Sequence, residues 1–192
     1  MPLTTIEKVE NYTLIEIEES YEPTVQEFID AVTAYIERYT GRTFAEPDEE
    51  AEESDLVYDG NNGDEIFIDD AIEVTGVKIG DDELASTDYV VYPSNRLPKT
   101  RIILPYRIFT SGNQNVTVTA KWGYGSVPAD ISLAATVMVA GIINSQNSQD
   151  TDNREIQSET IGRYSVTYKS GSTQATDYLN AKQTLKMYKR YA

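Results

Sequence analysis

The 192-residue sequence predicts an α+β fold: a small bundle of about three helices with an antiparallel β-rich tract inserted between the first helix and the second. Three observations predict it. Apolar residues recur at helical spacing near both ends of the chain, the period changes to two between about residues 55 and 124, and a nearly all-apolar segment after Pro128 needs other elements to cover it. A chain of this length suits one small domain carrying a large insertion and buries a real core. The bounds expected are residues 1–44 with 126–192 for the helical part, and 45–125 for an acidic loop with the inserted β-rich subdomain.

The first helix is drawn by Val25, Phe28, Ile29, Val32, Ile36 and Tyr39, at steps of three and four. Thr24 with Glu27 after Pro23 predicts a capping box, and Gly41 a C-cap. Upstream, Tyr12 to Ile17 alternates weakly, as either a short strand or an arm would. The carboxylate-dense, Pro47-containing tract Ala45 to Asp55 has almost nothing to bury and is expected to be a mobile loop.

Beyond it, strands are expected at Leu56–Asp59, Glu65–Asp69, Ile72–Ile79, Tyr89–Tyr92, Arg101–Ile108 and Val116–Trp122. Turn residues separate them at Gly60–Gly63, Gly80–Asp82, Pro93–Asn95 and Ser111–Asn113. The product is a small antiparallel sheet or sandwich.

Ile131, Leu133, Val137, Met138, Val139, Ile142 and Ile143 make the helix after Pro128 apolar on nearly every side, so it is expected to be the axle of the core. Pro128 suits the first helical position, where its missing N–H costs nothing. The polar run Asn144–Glu155 predicts a second flexible loop. Ile161–Tyr168 predicts a half-buried strand or hairpin arm, with Tyr164, Val166 and Tyr168 on one face. A last helix carries Ala175, Tyr178, Leu179, Ala181, Leu185, Tyr188 and Tyr191 on one stripe, and Lys182, Lys186, Lys189 and Arg190 beside it.

With no histidine and no cysteine, the chain offers no Ser-His-Asp triad, no thiolate or usual zinc site and no disulfide framework. The expectation is a protein that is not an enzyme, without cofactor or metal. Asp59-Gly60-Asn61-Asn62-Gly63-Asp64 resembles a calcium loop, but its second glycine falls at position five and position twelve is not Glu, so a hairpin turn explains it better. Gly123 and Gly125 permit a sharp corner rather than a phosphate cradle, and Trp122 and Tyr124 are expected to be packing aromatics there. The start, Met1–Glu7, has neither a basic residue nor an apolar run, and the longest apolar stretch is expected to fall short of a bilayer span, which implies synthesis in a cytoplasm and no membrane.

Charge is divided sharply. Of the 32 carboxylates, 26 lie in residues 1–90 against only Lys8, Arg38, Arg42 and Lys78, a balance of −22. Residues 91–192 carry 12 Lys/Arg against 6 Asp/Glu, or +6. So acidic a front half repels phosphate and is a poor DNA-binding surface. The basic, tyrosine-rich end suits a protein interface, where rings anchor and charges steer.

Several stretches taken in order resemble one family. They are Tyr39-Thr40-Gly41-Arg42-Thr43-Phe44; Val57-Tyr58-Asp59-Gly60 leading to Ile66-Phe67-Ile68-Asp69; Ile72 to Val77; Asp88-Tyr89; the corner Lys121-Trp122-Gly123-Tyr124 into Val127-Pro128-Ala129-Asp130; and Ile161 to Tyr168 before the terminal helix. Their order resembles the head-tail connector (adaptor, or head-completion) proteins of tailed bacteriophages.

The resemblance implies a structural ring subunit, often in about twelve copies, made in a bacterial cytoplasm and placed in the virion neck. There it would dock beneath the portal protein, extend the DNA channel and receive a stopper or tail-completion protein on its other face. Carried over by position, Tyr178, Lys182, Lys186, Tyr188, Lys189, Arg190 and Tyr191 would face the portal, and deleting Lys186–Ala192 is expected to leave a folded subunit. Glu46, Asp48, Glu49, Glu50, Glu52 and Glu53 would line the channel and keep passing DNA from sticking. The long acidic loop and the β insertion depart from smaller relatives. Two other classes compete: an acidic DNA-mimic inhibitor, which would space its acids along a helical face, and a tail-associated β-rich binding module, which leaves the apolar helix after Pro128 unexplained.

Overall fold

The computed structural model describes residues 1–44, 52–147, 156–169 and 173–190. Two compact units divide the chain: residues 1–42 with 127–192, and residues 43–126. Among the described residues the first contains four helices and a hairpin, the second a six-stranded antiparallel sheet.

In the helical unit, α1 spans Ile6–Thr13 and is capped by the Thr5 hydroxyl, which accepts from the Lys8 N–H. It takes Tyr12 and Thr13 from the strand or arm expected over Tyr12 to Ile17, and Leu14 to Ile17 form no strand. Leu14, at φ 57°, ends it in the left-handed region. Only Val9 of its eight residues is buried, so its apolar stripe is too thin to read from sequence. Polar bonds add to its seating: the Thr4 and Thr136 hydroxyls lie 2.6 Å apart, and Lys8 Nζ donates to Ser132 Oγ at 2.8 Å.

Next comes α2, Glu22–Thr40, burying Val25, Phe28, Ile29, Val32 and Ile36. It starts earlier than the predicted capping box: Tyr21 occupies the cap, without a side-chain capping bond, and Pro23 sits in the first turn. Thr24 therefore lies inside the helix. Glu27 instead accepts from Arg163 at 2.8 Å. Gly41 closes the helix at φ 66°, its N–H bonded to the Glu37 carbonyl, as the sequence predicts.

The apolar helix α3, Ala129–Asn147, is the core of this unit, with Ile131, Ala135, Met138, Val139 and Ile142 at 1% exposure or less. Each such large side chain contributes about 1.5–3 kcal/mol on burial. Pro128 stands just before it rather than in it, its carbonyl accepting from Ser132 N. The helix also extends through Asn144–Asn147, where a loop was expected. One predicted core residue is misplaced: Leu133 is 56% exposed. By length and composition Ala129–Gln146 is apolar enough to cross a bilayer, contrary to expectation. It passes that test as a core helix does, packed among its neighbours.

A hairpin of β7, Ile156–Ile161, and β8, Tyr164–Lys169, follows, with Gly162 in its turn at φ 59°. Gly141 of α3 admits this hairpin: a Cβ there would come within 3.0 Å of Val166 Cγ1. Tyr164 meets Phe28 edge-on at 4.8 Å. The last helix, α4, spans Thr173–Tyr188.

The sheet unit contains β1 Ser54–Gly60, β2 Glu65–Ile79, β3 Asp82–Glu83, β4 Val90–Tyr92, β5 Lys99–Ile103 and β6 Gly112–Trp122. Their order is β1-β6-β2-β5-β4, with β3 on β2. The predicted strands at 65–69 and 72–79 are one strand, whose register slips near Ala71 and Val74 mark bulges that break the period of two. Arg101–Ile108 ends at Ile103, ahead of Pro105, and the turn expected at Ser111–Asn113 is the start of β6. Ile66, Ile68, Val116, Val118 and Ile102 fill the covered side, while Phe67 points outward at 68% exposure.

No hairpin joins β1 and β2, because β1 pairs with β6 (Ser54↔Ala120 to Tyr58↔Val116). Residues 60–63 form instead a connection held by polar bonds. Asn61 Oδ1 accepts from Gly63 N, Asn115 Oδ1 from Gly60 N, and Asp59 Oδ1 from Gln114 N. The side chains that a calcium loop would need as ligands are serving the turn.

Trp122 packs on Tyr58 with ring centres 6.4 Å apart and donates its indole N–H to the Ser54 carbonyl, while Tyr124 lies 5.1 Å from the Phe44 ring. Gly123 and Gly125 sit at φ 141° and 101°, conformations that only glycine adopts readily.

Candidate functional site

The end of α4 is where the basic and tyrosine residues singled out in the sequence gather. Helical spacing turns Tyr178, Ala181 and Leu185 inward, all at 5% exposure or less. Tyr178 is therefore a core residue, and the expectation that its ring faces a partner is corrected. Lys182 is half-buried, Lys186 and Lys189 are exposed, and Tyr188 and Arg190 are half-buried. Tyr191 lies outside the described residues.

The last turn of α4 is bound to the last turn of α2. The Arg190 N–H donates to the Thr40 carbonyl at 2.8 Å, and Arg42 Nε donates to the Tyr188 carbonyl at 2.7 Å. Lys189 Nζ stands 5.5 Å above the Tyr39 ring, which stacks on Tyr35 at 6.1 Å. Two helix C-termini, each the negative end of its dipole, thus converge under Arg42, Lys189 and Arg190, and cations are stabilised in that position. Beside them, Tyr188 Oη donates to both oxygens of Asp130 at 2.9 and 3.0 Å.

Tyr35, Tyr39 and Arg42 belong to this corner; the sequence placed Tyr39 on the stripe of the first helix and Arg42 in a family-like stretch, but assigned none of the three to a site. Gly41 is the one local signal, since a C-cap marks where α2 stops; the pairing with α4 spans well over a hundred residues. Deleting Lys186–Ala192 would remove the bonds of Arg190 and Tyr188 to the end of α2 along with the charges.

Of the acidic tract, Glu46, Asp48, Glu49 and Glu50 lie outside the described residues. Glu52 and Glu53 are exposed ahead of β1, with Glu53 accepting from Thr75 Oγ1 at 2.9 Å. A second acidic group, Glu16, Glu18, Glu19 and Glu22, rims a shallow depression between α1 and α2. Among the described residues no group of three or more His, Cys, Asp or Glu is placed to hold a metal. What the corner can do chemically is present cations beside aromatic rings.

The sequence matches the family model described as head completion protein (HCP) over residues 2–191. No curated protein matches it. Among solved structures, a chain in the neck of an empty GTA particle computed with C6 symmetry is 13% identical, at TM-score 0.50, over 92% of this chain and 81% of that one. A chain in the virion of a native gene transfer agent particle is 13% identical, also at TM-score 0.50, over 100% of this chain and 90% of that one. At such identity the likeness is one of fold.

Proposed function

We propose, from the premise that the chain belongs to the head completion protein family, that it is a structural subunit of a virion neck that joins head to tail as a ring, with the end of α4 as the surface that docks beneath a portal protein. The observation that carries this reading is the corner where Lys189 and Arg190 are held against Tyr39 and Thr40, with Arg42 bonded to the Tyr188 carbonyl. A docking surface gains when its side chains are ordered before the partner arrives, because less conformational entropy is then lost on binding. Strapped backbone and a cation held over a ring supply that order. The partner surface is acidic, and Tyr188 contributes an amphipathic ring at the rim.

The ring extends the DNA channel, and its other face takes a stopper or tail-completion protein. The −22 balance of residues 1–90 supports a lining that repels phosphate, so that DNA passes without being captured. Glu46, Asp48, Glu49, Glu50, Glu52 and Glu53 are the residues proposed for that lining.

Binding of purified full-length chain to a purified portal ring tests the docking surface. The Lys189→Glu/Arg190→Glu variant, with an unchanged circular dichroism spectrum, is expected to lose binding, and wild-type binding by that variant overturns the assignment.

A further inference from the structure

Two surfaces on different sides of α4 carry matching chemistry. One is a cleft of about 220 Å³ between α1, α3 and α4. Leu133, Val137 and Ala181 form its apolar floor, and Asp130 and Asp177 stand on its rim. Leu133, at 56% exposure, is the one large side chain of α3's apolar set that the unit leaves uncovered. Each rim carboxylate is oriented by a tyrosine: Asp130 by Tyr188, and Asp177 by the Tyr12 hydroxyl at 2.9 Å. A neutral hydroxyl fixes the direction of a carboxylate without cancelling its charge.

The other surface is the outward side of α4, turned away from its core residues Tyr178, Ala181 and Leu185. Leu179 is 48% exposed and Met187 75% exposed, and the exposed Lys186 lies two turns on from Leu179 and next to Met187 in the chain. Apolar anchors flanking a cation face solvent here, while the cleft offers an apolar floor flanked by carboxylates.

We propose that the outward face of α4 in one copy of this chain seats in the α1/α3/α4 cleft of the next, with Leu179 and Met187 covering Leu133 and Val137, and Lys186 facing the rim carboxylates. The inference rests on the ring-subunit reading and names the surfaces that build the ring. Opposite charges and complementary apolar groups argue for a second copy as the occupant, because one chain supplies both halves. The two patches are different parts of the same unit, so the contact is heterologous. Repetition of such a contact yields a ring or filament rather than a closed pair.

The chain contains no cysteine, so introduced thiols report single contacts. Full-length Leu133→Cys and Met187→Cys proteins, carrying different tags, are mixed and mildly oxidised. The expected product is the mixed dimer, in excess over either homodimer, and the double variant is expected to give a ladder of higher species. Homodimers alone, no cross-link, or cross-linking of Leu133→Cys to the portal subunit in preference to a second copy would overturn the proposal. A second variant, Leu133→Asp, alters an exposed position and is expected to keep its circular dichroism spectrum while losing all species above the monomer in native mass spectra. Assembly retained by that variant also counts against the contact. Portal binding is scored separately: a failed ladder with portal binding intact removes the copy-to-copy contact and leaves the docking reading standing.

Discussion

Tyr188 and Asp130 are joined by a forked hydrogen bond, the single phenol hydroxyl lying 2.9 and 3.0 Å from the two carboxylate oxygens. The bond fastens the last residue of α4 to the first turn of α3. Asp130 is favoured there independently, since a carboxylate at a helix N-terminus meets the positive end of the dipole. One tyrosine thus ties the end of α4 to the core helix.

Tyr188→Phe keeps the ring and removes the bond. A half-exposed hydrogen bond to a charged group contributes about 1 kcal/mol net, so the melting temperature is expected to fall by about 2–4 °C for a chain of this size. Thermal unfolding by circular dichroism checks it, and an unchanged midpoint means the bond contributes nothing in solution.

Gly60 is held by its surroundings rather than by its backbone angle. A Cβ at that position would lie 1.9 Å from the Thr110 carbonyl oxygen, inside any contact distance, so β1 and the Thr110 loop cannot both stay where they are. Gly60→Ala is expected to destabilise by about 1–3 kcal/mol, the range for overpacking with backbone shift. Gly80 has open space around it, so Gly80→Ala meets only the left-handed strain of φ +59°, about 1 kcal/mol. Urea unfolding midpoints should rank wild type above Gly80→Ala and Gly80→Ala above Gly60→Ala; the reverse order for the two variants would contradict the packing described.

How far such features were legible depends on the range of the interactions behind them. α2 announces itself because one stripe from Val25 to Ile36 is buried and its end needs Gly41, all within twenty residues. α1 does not, since burial of Val9 alone leaves no period to see. In the sheet, the alternation of Ile66, Phe67 and Ile68 was readable, whereas the bulges near Ala71 hid one long strand as two. The pairing of β1 with β6 rather than β2 is set by contacts some sixty residues apart, such as Tyr58 with Val116, and no turn residue encodes it.

The candidate site divides in the same way. The charge of Lys186, Lys189 and Arg190 was plain from composition. Tyr178 looked equivalent to Tyr188 because both lie on one apolar stripe, yet Tyr178 meets the middle of the core and Tyr188 its edge. The contribution of Tyr39 and Arg42 arises only when two helix ends far apart in sequence are brought together.

Tyr12 gives the helical unit an alkaline limit. Its burial, and then its hydrogen bond to Asp177 and the charge of that carboxylate, push its pKa up to about 12 from the usual 10.0. A pKa raised on folding means the protonated phenol is favoured in the folded chain. The associated stability is complete below about pH 10 and is lost as pH rises through about 12. Tyr12→Phe cannot ionise, so its unfolding midpoint is expected to decline less than that of wild type across this window. Parallel declines would show that the Tyr12 hydroxyl is not held by Asp177.

The channel lining proposed for the acidic tract would make DNA ejection depend on salt. Carboxylates repel DNA phosphates over a screening length of about 10 Å at 0.1 M salt and about 30 Å at 0.01 M, so a repulsive lining matters most in dilute buffer. Replacing Glu46, Asp48, Glu49, Glu50, Glu52 and Glu53 by Gln or Asn removes six charges while keeping the side chains polar and of similar size. Particles carrying the neutral variant are expected to eject DNA more slowly than wild type at low salt, with the difference shrinking as salt rises, because added ions screen the wild-type lining toward the behaviour of the variant. Ejection followed by a DNA-binding dye measures both. Equal rates at every ionic strength would place the tract away from the channel, and a slowing that persists unchanged at high salt would assign it to assembly of the neck rather than to repulsion of its cargo.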